Sequence, residues 1–261
     1  MNSTMLALPR VSPRFIPVWR RNQLVWQKLA IPSMLGNLAD PMIYMLGLGY
    51  GLGALLPEVK GVPYIVFLAA GTICFSTMNS ATFETLYSSF SRMHVQRTWD
   101  GIMNAPVTLD DVVLAELVWA ATKALLSGVA ILVVAWALGL THSPMALWIL
   151  PVLPLIGLTF GGLGLTITAV SPSYDFFMYY FTLFITPMAM LSGVFYPIDQ
   201  LPALLRGLAH VLPLTHAIEL ARPLFLGRVP EMIPLHVAVL VAYAVVGFYA
   251  AVVLFRRRLL K

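Results

Sequence analysis

Charged residues are scarce in this sequence. Asp, Glu, Lys and Arg make up 10% of its 261 residues, while 59% are hydrophobic and the mean hydropathy is +0.85. Soluble domains carry roughly 25% charged residues, so the composition excludes an ordinary soluble domain. It predicts an all-α integral membrane protein, because long apolar runs cross a bilayer as helices.

The sequence has one cysteine and none of the common catalytic signatures. Cys74 is the single cysteine, which excludes an internal disulfide and a paired-cysteine metal site. The sequence contains no G-x-x-x-x-G-K-[ST], H-E-x-x-H or G-x-S-x-G pattern. We therefore predict no enzyme activity, no metal and no cofactor on this chain. The net charge of +5 does not indicate nucleic-acid binding, because the basic residues lie mostly at the ends of apolar runs.

The apolar runs predict six transmembrane helices, each longer than the roughly 20 residues that a span needs. They cover residues 34–56, 63–86, 111–138, 145–170, 174–196 and 232–255. Basic residues concentrate on one side of these spans, at Arg10, Arg14, Arg20, Arg21, Lys28, Arg92, Arg97, Arg256, Arg257, Arg258 and Lys261. The other side has four, at Lys60, Arg206, Arg222 and Arg228. Because basic flanks stay in the cytoplasm, both termini are predicted to be cytoplasmic.

A basic amphipathic segment precedes the first span. In residues 14–30 the apolar side chains, including Trp19 and Trp26, fall on one helical face, with basic and polar residues largely opposite. Such a helix can lie flat in the lipid headgroup layer, or it can pack on a partner protein. The predicted organisation is one transmembrane domain over 1–261, with an interfacial helix in 1–32 and a six-span bundle in 33–261.

The connection between the second and third spans is also amphipathic. Val95 and Trp99 recur at helical spacing with two further apolar residues, which predicts a short amphipathic helix at the cytoplasmic surface. An ordinary connector is the alternative, although aromatic residues beside charges are enriched at protein contacts. Thr108, with Asp111 three residues later, is typical of a capping box that opens the third span.

Polar side chains within the predicted spans form a stripe and a pair. The stripe recurs at three- and four-residue steps in the second span, at Thr72, Ser76, Asn79, Ser80 and Glu84. Glu116 and Lys123 lie seven residues apart on one face of the third span. A charge at the centre of a span costs about 2.5–3.5 kcal/mol, so Lys123 is expected to need a partner. These residues either line a substrate path or join helices to one another, and both uses stay open.

Residues 193–227, between the last two spans, are amphipathic and broken by prolines. Leu204 and Leu208 share one helical face with further leucines, while Asp199 and other charged residues interrupt the apolar run. Neither half is long enough to cross a membrane, and Pro213 supplies a break between them. The segment therefore predicts a re-entrant pair of short helices on the outer side, and an external cap that packs a dimer is the alternative.

These features together resemble the permease subunits of ABC-2 type exporters. The resemblance covers essentially the whole chain, and it is carried by the six spans, the N-terminal amphipathic helix and two segments, "MHVQRTWDGIMNAPVTLDDVVLAELVWA" and "SGVFYPIDQLPALLRGLAHVLPLTHAIELARPLFLG". Within that family the sequence is most similar to a branch associated with lipo-oligosaccharide export. The resemblance implies a homodimer that works with two copies of a separate ATPase, which binds ATP, and it implies a lipid or glycolipid substrate.

The resemblance also implies roles for the two segments. It makes residues 93–105 a coupling helix seated in a groove of the ATPase, for which the candidate residues are Arg92, Arg97, Trp99, Asp100 and Ile102. It makes residues 193–227 an external gate that dips into the outer leaflet, for which the candidates are Asp199, Leu204, Leu208 and Pro213. The candidate substrate path consists of Thr72, Ser76, Asn79, Ser80, Glu116 and Lys123.

Two other functions are weighed against this one. An ion-coupled secondary transporter needs ion ligands within the membrane and usually an internal repeat. No clear repeat relates the two halves, and the best carboxylate for such a site is Asp40, close to the cytoplasmic end of the first span. A lipid-modifying membrane enzyme is disfavoured by the missing catalytic motifs.

Overall fold

The structure, a computed structural model, describes residues 6–260, without the side chain of Asn37. Residues 1–5, which belong to the predicted interfacial segment, and Lys261, which belongs to the predicted basic flank, lie outside the described residues. The helices are α1 Phe15–Gln27, α2 Ala30–Gly51, α3 Tyr64–Phe83, α4 Thr98–Met103, α5 Leu109–Ala137, α6 Val152–Val170, α7 Asp175–Tyr180, α8 Thr186–Leu191, α9 Ala203–Ala209, α10 Pro213–Phe225 and α11 Ile233–Leu259.

Shorter elements connect or extend these helices. Strands β1 Glu58–Val59 and β2 Val62–Pro63 form an antiparallel hairpin with Val59 opposite Val62. Short 3₁₀ helices lie at Leu52–Ala54, Pro144–Ile149 and Ile198–Gln200, and π-helical segments lie at Glu84–Ser89, Ser91–Val95 and Phe181–Ile185. The prediction of a helical protein is confirmed.

Within the described part of the chain, four helices are long and apolar enough to cross a membrane. They are Tyr64–Val95, Leu109–Ala137, Pro144–Val170 and Ile233–Leu259, which correspond to the second, third, fourth and sixth predicted spans. The first and fifth predicted spans correspond to α2, of 22 residues, and to the shorter apolar helix Asp175–Leu191. Asn37 and Asp40 interrupt the apolar run of α2. The count of six spans therefore stays a prediction.

Helix α6 lies at the centre of the bundle, packed against α3, α5 and α11. Its approach to α5 depends on Gly157, where an added Cβ atom would lie 2.7 Å from the Cα atom of Ala121. Only glycine permits backbones to come this close, which is a common way of packing helices in membranes.

The second span is longer than predicted, and the loop helix after it is shorter. The π-helical segments continue α3 without interruption as far as Val95, whereas the apolar run predicted an end at residue 86. Arg97 then adopts a left-handed backbone conformation with φ of 50°, which breaks the helix. The predicted single helix over 93–105 is thus wrong in extent, because residues 93–95 complete the second span and α4 is limited to Thr98–Met103.

The predicted capping box at the start of the third span is confirmed. The hydroxyl of Thr108 accepts a hydrogen bond from the Asp111 backbone N–H at 3.2 Å, and the Asp111 carboxylate accepts one from the Thr108 backbone N–H at 3.2 Å. These bonds satisfy backbone donors that the first helical turn leaves free. Helix α5 therefore begins at Leu109.

The N-terminal amphipathic helix packs along the third span. In α1, Val18 and Asn22 are buried, and the indole N–H of Trp19 donates to the hydroxyl of Thr122 in α5 at 3.1 Å. The apolar side chain of Val25 stays 54% exposed. One side of α1 therefore binds the bundle, and its position in a headgroup layer stays a prediction.

The segment between the last two spans contains two helices of unequal length. Helix α9 has 7 residues and α10 has 13, so neither has the roughly 20 residues that a span needs. Pro202 immediately precedes the first helix, and Pro213 is the first residue of the second, where a missing N–H costs no helical hydrogen bond. The re-entrant position of the pair stays a prediction.

The two ends of the bundle consist of different elements. The basic end holds α4, the start of α5 and the end of α11. The opposite end holds the β-hairpin and the segment that contains α9 and α10.

Candidate functional site

Four charged residues form a buried cluster at the basic end, where the π-helical extension of α3 meets α5. The Arg92 guanidinium donates to Glu84 Oε1 at 2.7 Å and, through its Nε, to Glu116 Oε1 at 2.9 Å. A second bond joins Arg92 to Glu116 Oε2. Lys123 Nζ donates to Glu84 Oε2 at 2.8 Å. Two positive and two negative groups therefore balance in a region from which water is largely excluded.

Neutral donors complete the cluster and connect it to other elements. Glu116 also accepts hydrogen bonds from Asn22 of α1 at 3.2 Å, Ser89 at 2.7 Å and the indole of Trp99 at 3.3 Å. The indole of Trp119 donates to Glu84 at 2.8 Å. A buried ion pair is tolerated only when its remaining lone pairs and protons are satisfied. Through Glu116 the cluster joins α1, the second span, α4 and α5.

Glu116 and Lys123 do not pair with each other directly. Seven residues of α-helix separate them by about 10 Å along the axis, which is too far for a direct contact. Each instead pairs with a residue of the second span, Lys123 with Glu84 and Glu116 with Arg92. Lys123 therefore has the charged partner that its position in an apolar helix was expected to need.

The candidate coupling residues divide between the surface and the interior. Arg97 and Asp100 are exposed, Ile102 is half-buried, and Arg92 belongs to the charge cluster. Trp99 is 1% exposed, and its ring packs edge-on against Phe255 of α11 with centroids 5.0 Å apart. Trp99 therefore offers no ring to a partner at the surface. Contact with an ATPase stays a prediction for the exposed residues of this connection.

The polar stripe of the second span faces other helices of the chain. Ser76 and Ser127 of α5 share a hydrogen bond of 2.8 Å between their hydroxyls, and the Thr72 hydroxyl donates to the Leu68 carbonyl at 2.8 Å. Ser80 is buried and Asn79 is half-buried. The Ser76 bond joins two spans, and a substrate path along this stripe stays a prediction.

A cavity of about 450 Å³ lies beside the charge cluster. Its lining combines Lys123 and Arg92 with the aromatic rings of Trp26, Tyr87 and Tyr174. Helix α1 forms one wall, so the cavity lies between the N-terminal helix and the membrane spans. An opening with both charged and aromatic walls suits a molecule that has a polar head and an apolar body.

At the opposite end, Arg222 fixes α10 to the second span. Its guanidinium donates to the Gly193 carbonyl at 2.7 Å and lies over the ring of Phe67, 3.8 Å from the centroid. Burial lowers the pKa of Arg222 to about 10, so the side chain remains charged at neutral pH. The arginine therefore holds α10 and the 193–194 turn in one unit with α3.

The candidate gate residues lie around this unit. Asp199 forms an exposed ion pair with Lys60 at 2.5 Å, and the hydrogen bond and charge of Lys60 lower the pKa of Asp199. In α9, Leu204 is 77% exposed and Leu208 is 51% exposed, whereas Pro213 is buried. The two leucines leave an apolar face uncovered, and its contact with lipid stays a prediction.

The roles of several residues in these sites could not be predicted from the sequence. Nothing in the pattern around Asn22 and Trp119 indicates contact with a charge cluster, and Arg222 counts in the sequence only as one of the basic residues on the outer side. Asp110, buried at the start of α5, pairs with Arg256 of α11, whose Nε donates to Asp110 Oδ1 at 2.9 Å. Asp110 and Arg256 lie just outside the predicted spans 111–138 and 232–255, so no ionisable residue within an apolar run marks this pair in the sequence.

Comparison with known proteins gives consistent matches. The family model described as ABC-2 type transporter matches residues 14–226. Nodulation protein J of Rhizobium meliloti (strain 1021) is 50% identical over 254 residues, which cover 97% of each chain. Nodulation protein J of Rhizobium leguminosarum bv. viciae is 50% identical over 254 residues, 97% of this chain and 98% of its own. The inner membrane transport permease YadH of Escherichia coli (strain K12) is 25% identical over 234 residues, 89% of this chain and 90% of its own.

Proposed function

Because the chain belongs to the ABC-2 type transporter family, we propose that it is the permease subunit of an ATP-driven exporter in a bacterial inner membrane. ATP is bound and hydrolysed on a separate subunit, which agrees with the missing nucleotide-binding signature in this sequence. The complex contains two copies of the permease and two of the ATPase, as the family resemblance implies. The family match does not favour an ion-coupled transporter.

The observation that supports this function most directly is the linkage of α4 to the bundle. Trp99 of α4 contacts Glu116 of the third span and Phe255 of the last span. Arg97 and Asp100, on either side of Trp99, face solvent. A subunit that binds and moves the exposed residues would therefore move a buried anchor attached to two spans.

The substrate is proposed to be a lipo-oligosaccharide or a similar amphipathic glycolipid. The resemblance to a branch associated with lipo-oligosaccharide export supports this choice. The cavity beside the charge cluster supports it as well, because charged and aromatic walls meet at the basic end. We place the entrance there and the exit at the opposite end, where α9 exposes apolar side chains.

The coupling proposal is tested with the permease purified together with its candidate ATPase. Arg97→Glu reverses an exposed charge on the proposed contact surface, so we expect ATP hydrolysis stimulated by lipid-linked oligosaccharides to fall by about 10-fold, the effect of about 1.4 kcal/mol. The thermal midpoint of unfolding should not change, since the side chain is exposed. Arg228→Glu, the same reversal at the opposite end, is the matched control. Equal stimulation in both variants would contradict the assignment.

The orientation is tested by thiol labelling in whole cells, in a Cys74→Ser background that removes the single native cysteine. Lys60→Cys should react with a membrane-impermeant maleimide, and Arg97→Cys should react only after the membrane is permeabilised. The reason is the basic residues that flank the spans on the side of Arg97. Labelling of Arg97→Cys alone in intact cells would reverse the topology.

A further inference from the structure

The opposite end contains a second and larger cavity. It has a volume of about 660 Å³ and lies between α10 and the first turns of α11, with the Lys60–Asp199 ion pair at its rim. One part of its wall is apolar, formed by side chains that include Val211 and Val239. The other part is polar and contains His216, which is 7% exposed.

Thr215 places an unpartnered hydroxyl in this wall. The residue is 2% exposed, and its Oγ1 atom has no hydrogen-bond partner among the described residues. A buried hydroxyl without a partner costs about 1–3 kcal/mol, so such groups are uncommon unless something else binds them. The Oγ1 atom is shielded from the cavity in the structure, so a rotation about the Cα–Cβ bond is needed to turn the hydroxyl outward, where it can both donate to and accept from a bound molecule.

A pair of histidines next to Thr215 adds an acceptor of defined position. His216 Nε2 lies 2.9 Å from the His210 carbonyl, and its Nδ1 lies 2.8 Å from Nδ1 of His236. A carbonyl only accepts, so His216 carries its proton on Nε2 and, when neutral, accepts through Nδ1. His236 then donates from Nδ1, which leaves its Nε2 as a lone-pair acceptor. Within the described chain, no group binds this Nε2.

The charges of the lining select the class of ligand. The carboxylates of Asp199 and Glu219 stand against the single ammonium of Lys60. Two imidazolium rings would bring two N–H groups together at the His216–His236 contact, so at least one ring is neutral. Arg206 lies next to Asp199 and Arg222 interacts with Glu219, so the carboxylates are balanced and the lining has no excess charge that would attract an ion. Among the described residues, no group of three or more His, Cys, Asp and Glu side chains could hold a metal ion.

We propose that this cavity binds the neutral, hydroxyl-rich saccharide head of an amphipathic molecule, through Thr215, His236 and Glu219, while the molecule's apolar part lies along Val211 and Val239. Carboxylates and an imidazole lone pair accept hydrogen bonds from sugar hydroxyls, and the threonine hydroxyl serves either role. The inference rests on the proposed export of a glycolipid, and it places a head-group subsite on the exit side.

The test uses the full chain in phosphatidylcholine nanodiscs, without an ATPase. The probe is dodecyl maltoside with a photoactivatable diazirine on the sugar, and labelled peptides are identified by mass spectrometry. We expect labels within residues 210–219 and 232–243, displaced by unlabelled dodecyl maltoside but not by dodecyl sulfate. Thr215→Val should weaken labelling about 5-fold, since one hydrogen bond contributes about 1 kcal/mol. His236→Phe should weaken it to a similar degree.

Two measurements separate binding from structure. Thr215→Val removes a buried hydroxyl that has no partner, so its thermal midpoint should stay level or rise. Thr77→Val, a buried threonine whose hydroxyl bonds the Ile73 carbonyl in the second span, should label like the wild type. Equal displacement by dodecyl sulfate would mean that only the alkyl chain is held, and unchanged labelling in both cavity variants would place the sugar elsewhere. Either result overturns the subsite.

Different results would contradict the head-group subsite and the proposed exporter function. Labelling needs no ATP, so it persists if the chain proves to have no ATPase partner. Conversely, substrate-stimulated ATP hydrolysis that persists while labelling is absent leaves the exporter assignment intact and removes this subsite.

Discussion

Glu116→Ala is expected to lower the thermal midpoint of unfolding by roughly 6–20 °C. The substitution leaves Arg92 in the interior with one of its two carboxylate partners missing. Breaking a buried ion pair costs about 3–5 kcal/mol, and each kcal/mol corresponds to about 2–4 °C in a chain of this size. The measurement is thermal unfolding of the purified permease in detergent, with Glu231→Ala, an exposed acidic residue, as the control.

A double variant separates the lost pair from a general loss of packing. Arg92→Met with Glu116→Met removes one positive and one negative charge, and it leaves Glu84 paired with Lys123 at 2.8 Å. Since no uncompensated charge remains, we expect the double variant to recover more than half of the stability that Glu116→Ala loses. A midpoint at or below that of the single variant would show that Arg92 and Glu116 are not coupled.

Trp99→Ala is expected to lose both stability and coupling. It removes a fully buried indole that packs against Phe255, and large-to-small changes of this kind cost about 3–5 kcal/mol. Helix α4 has only 6 residues, so without this anchor it has little else to hold it to the last span. We expect ATP hydrolysis by the assembled complex to lose its response to substrate, measured alongside thermal unfolding.

The role of the indole N–H is isolated by Trp99→Phe. This variant keeps a ring against Phe255 and loses only the hydrogen bond to Glu116, so it should retain most of the stability and part of the substrate response. Val95→Ala, which trims an exposed side chain two residues before Arg97, controls for changes in the same connection. A Trp99→Ala complex that responds to substrate like the wild type would remove α4 from the coupling route.

The long helices of the bundle could be predicted from the sequence because each depends on a local property. Four apolar runs are long enough to cross a bilayer. The capping box at Thr108 indicates where α5 begins, at Leu109. The position of Pro213 likewise indicates the break before α10, since proline suits a first helical turn. In α2 the apolar run is interrupted by Asn37 and Asp40, so the length of the run alone does not decide whether this helix crosses the membrane.

The charge cluster could be predicted only in part. The depth of Lys123 indicates that it needs a partner, but which residue supplies it depends on how two helices rotate against each other. That rotation is set after Glu84 by π-helical turns, for which the sequence carries no clear signal. The pairing of Arg92 with Glu116 is a consequence of this register. The histidine pair, 20 residues apart along the chain, depends in the same way on tertiary packing.

Because of the π-helical stretch in the second span, the number of residues between Glu84 and Arg92 determines whether the charge cluster can form. An α-helix turns by about 100° per residue, and a π-helical turn accommodates a residue that the α-helical ladder would exclude. Deleting one residue between Glu84 and Arg92 would let the ladder close as an α-helix and would turn Arg92 away from Glu116 although both side chains remain. Insertions and deletions, which connecting loops absorb readily, are therefore as disruptive here as the loss of a charge, and the spacing of these residues is itself part of the site.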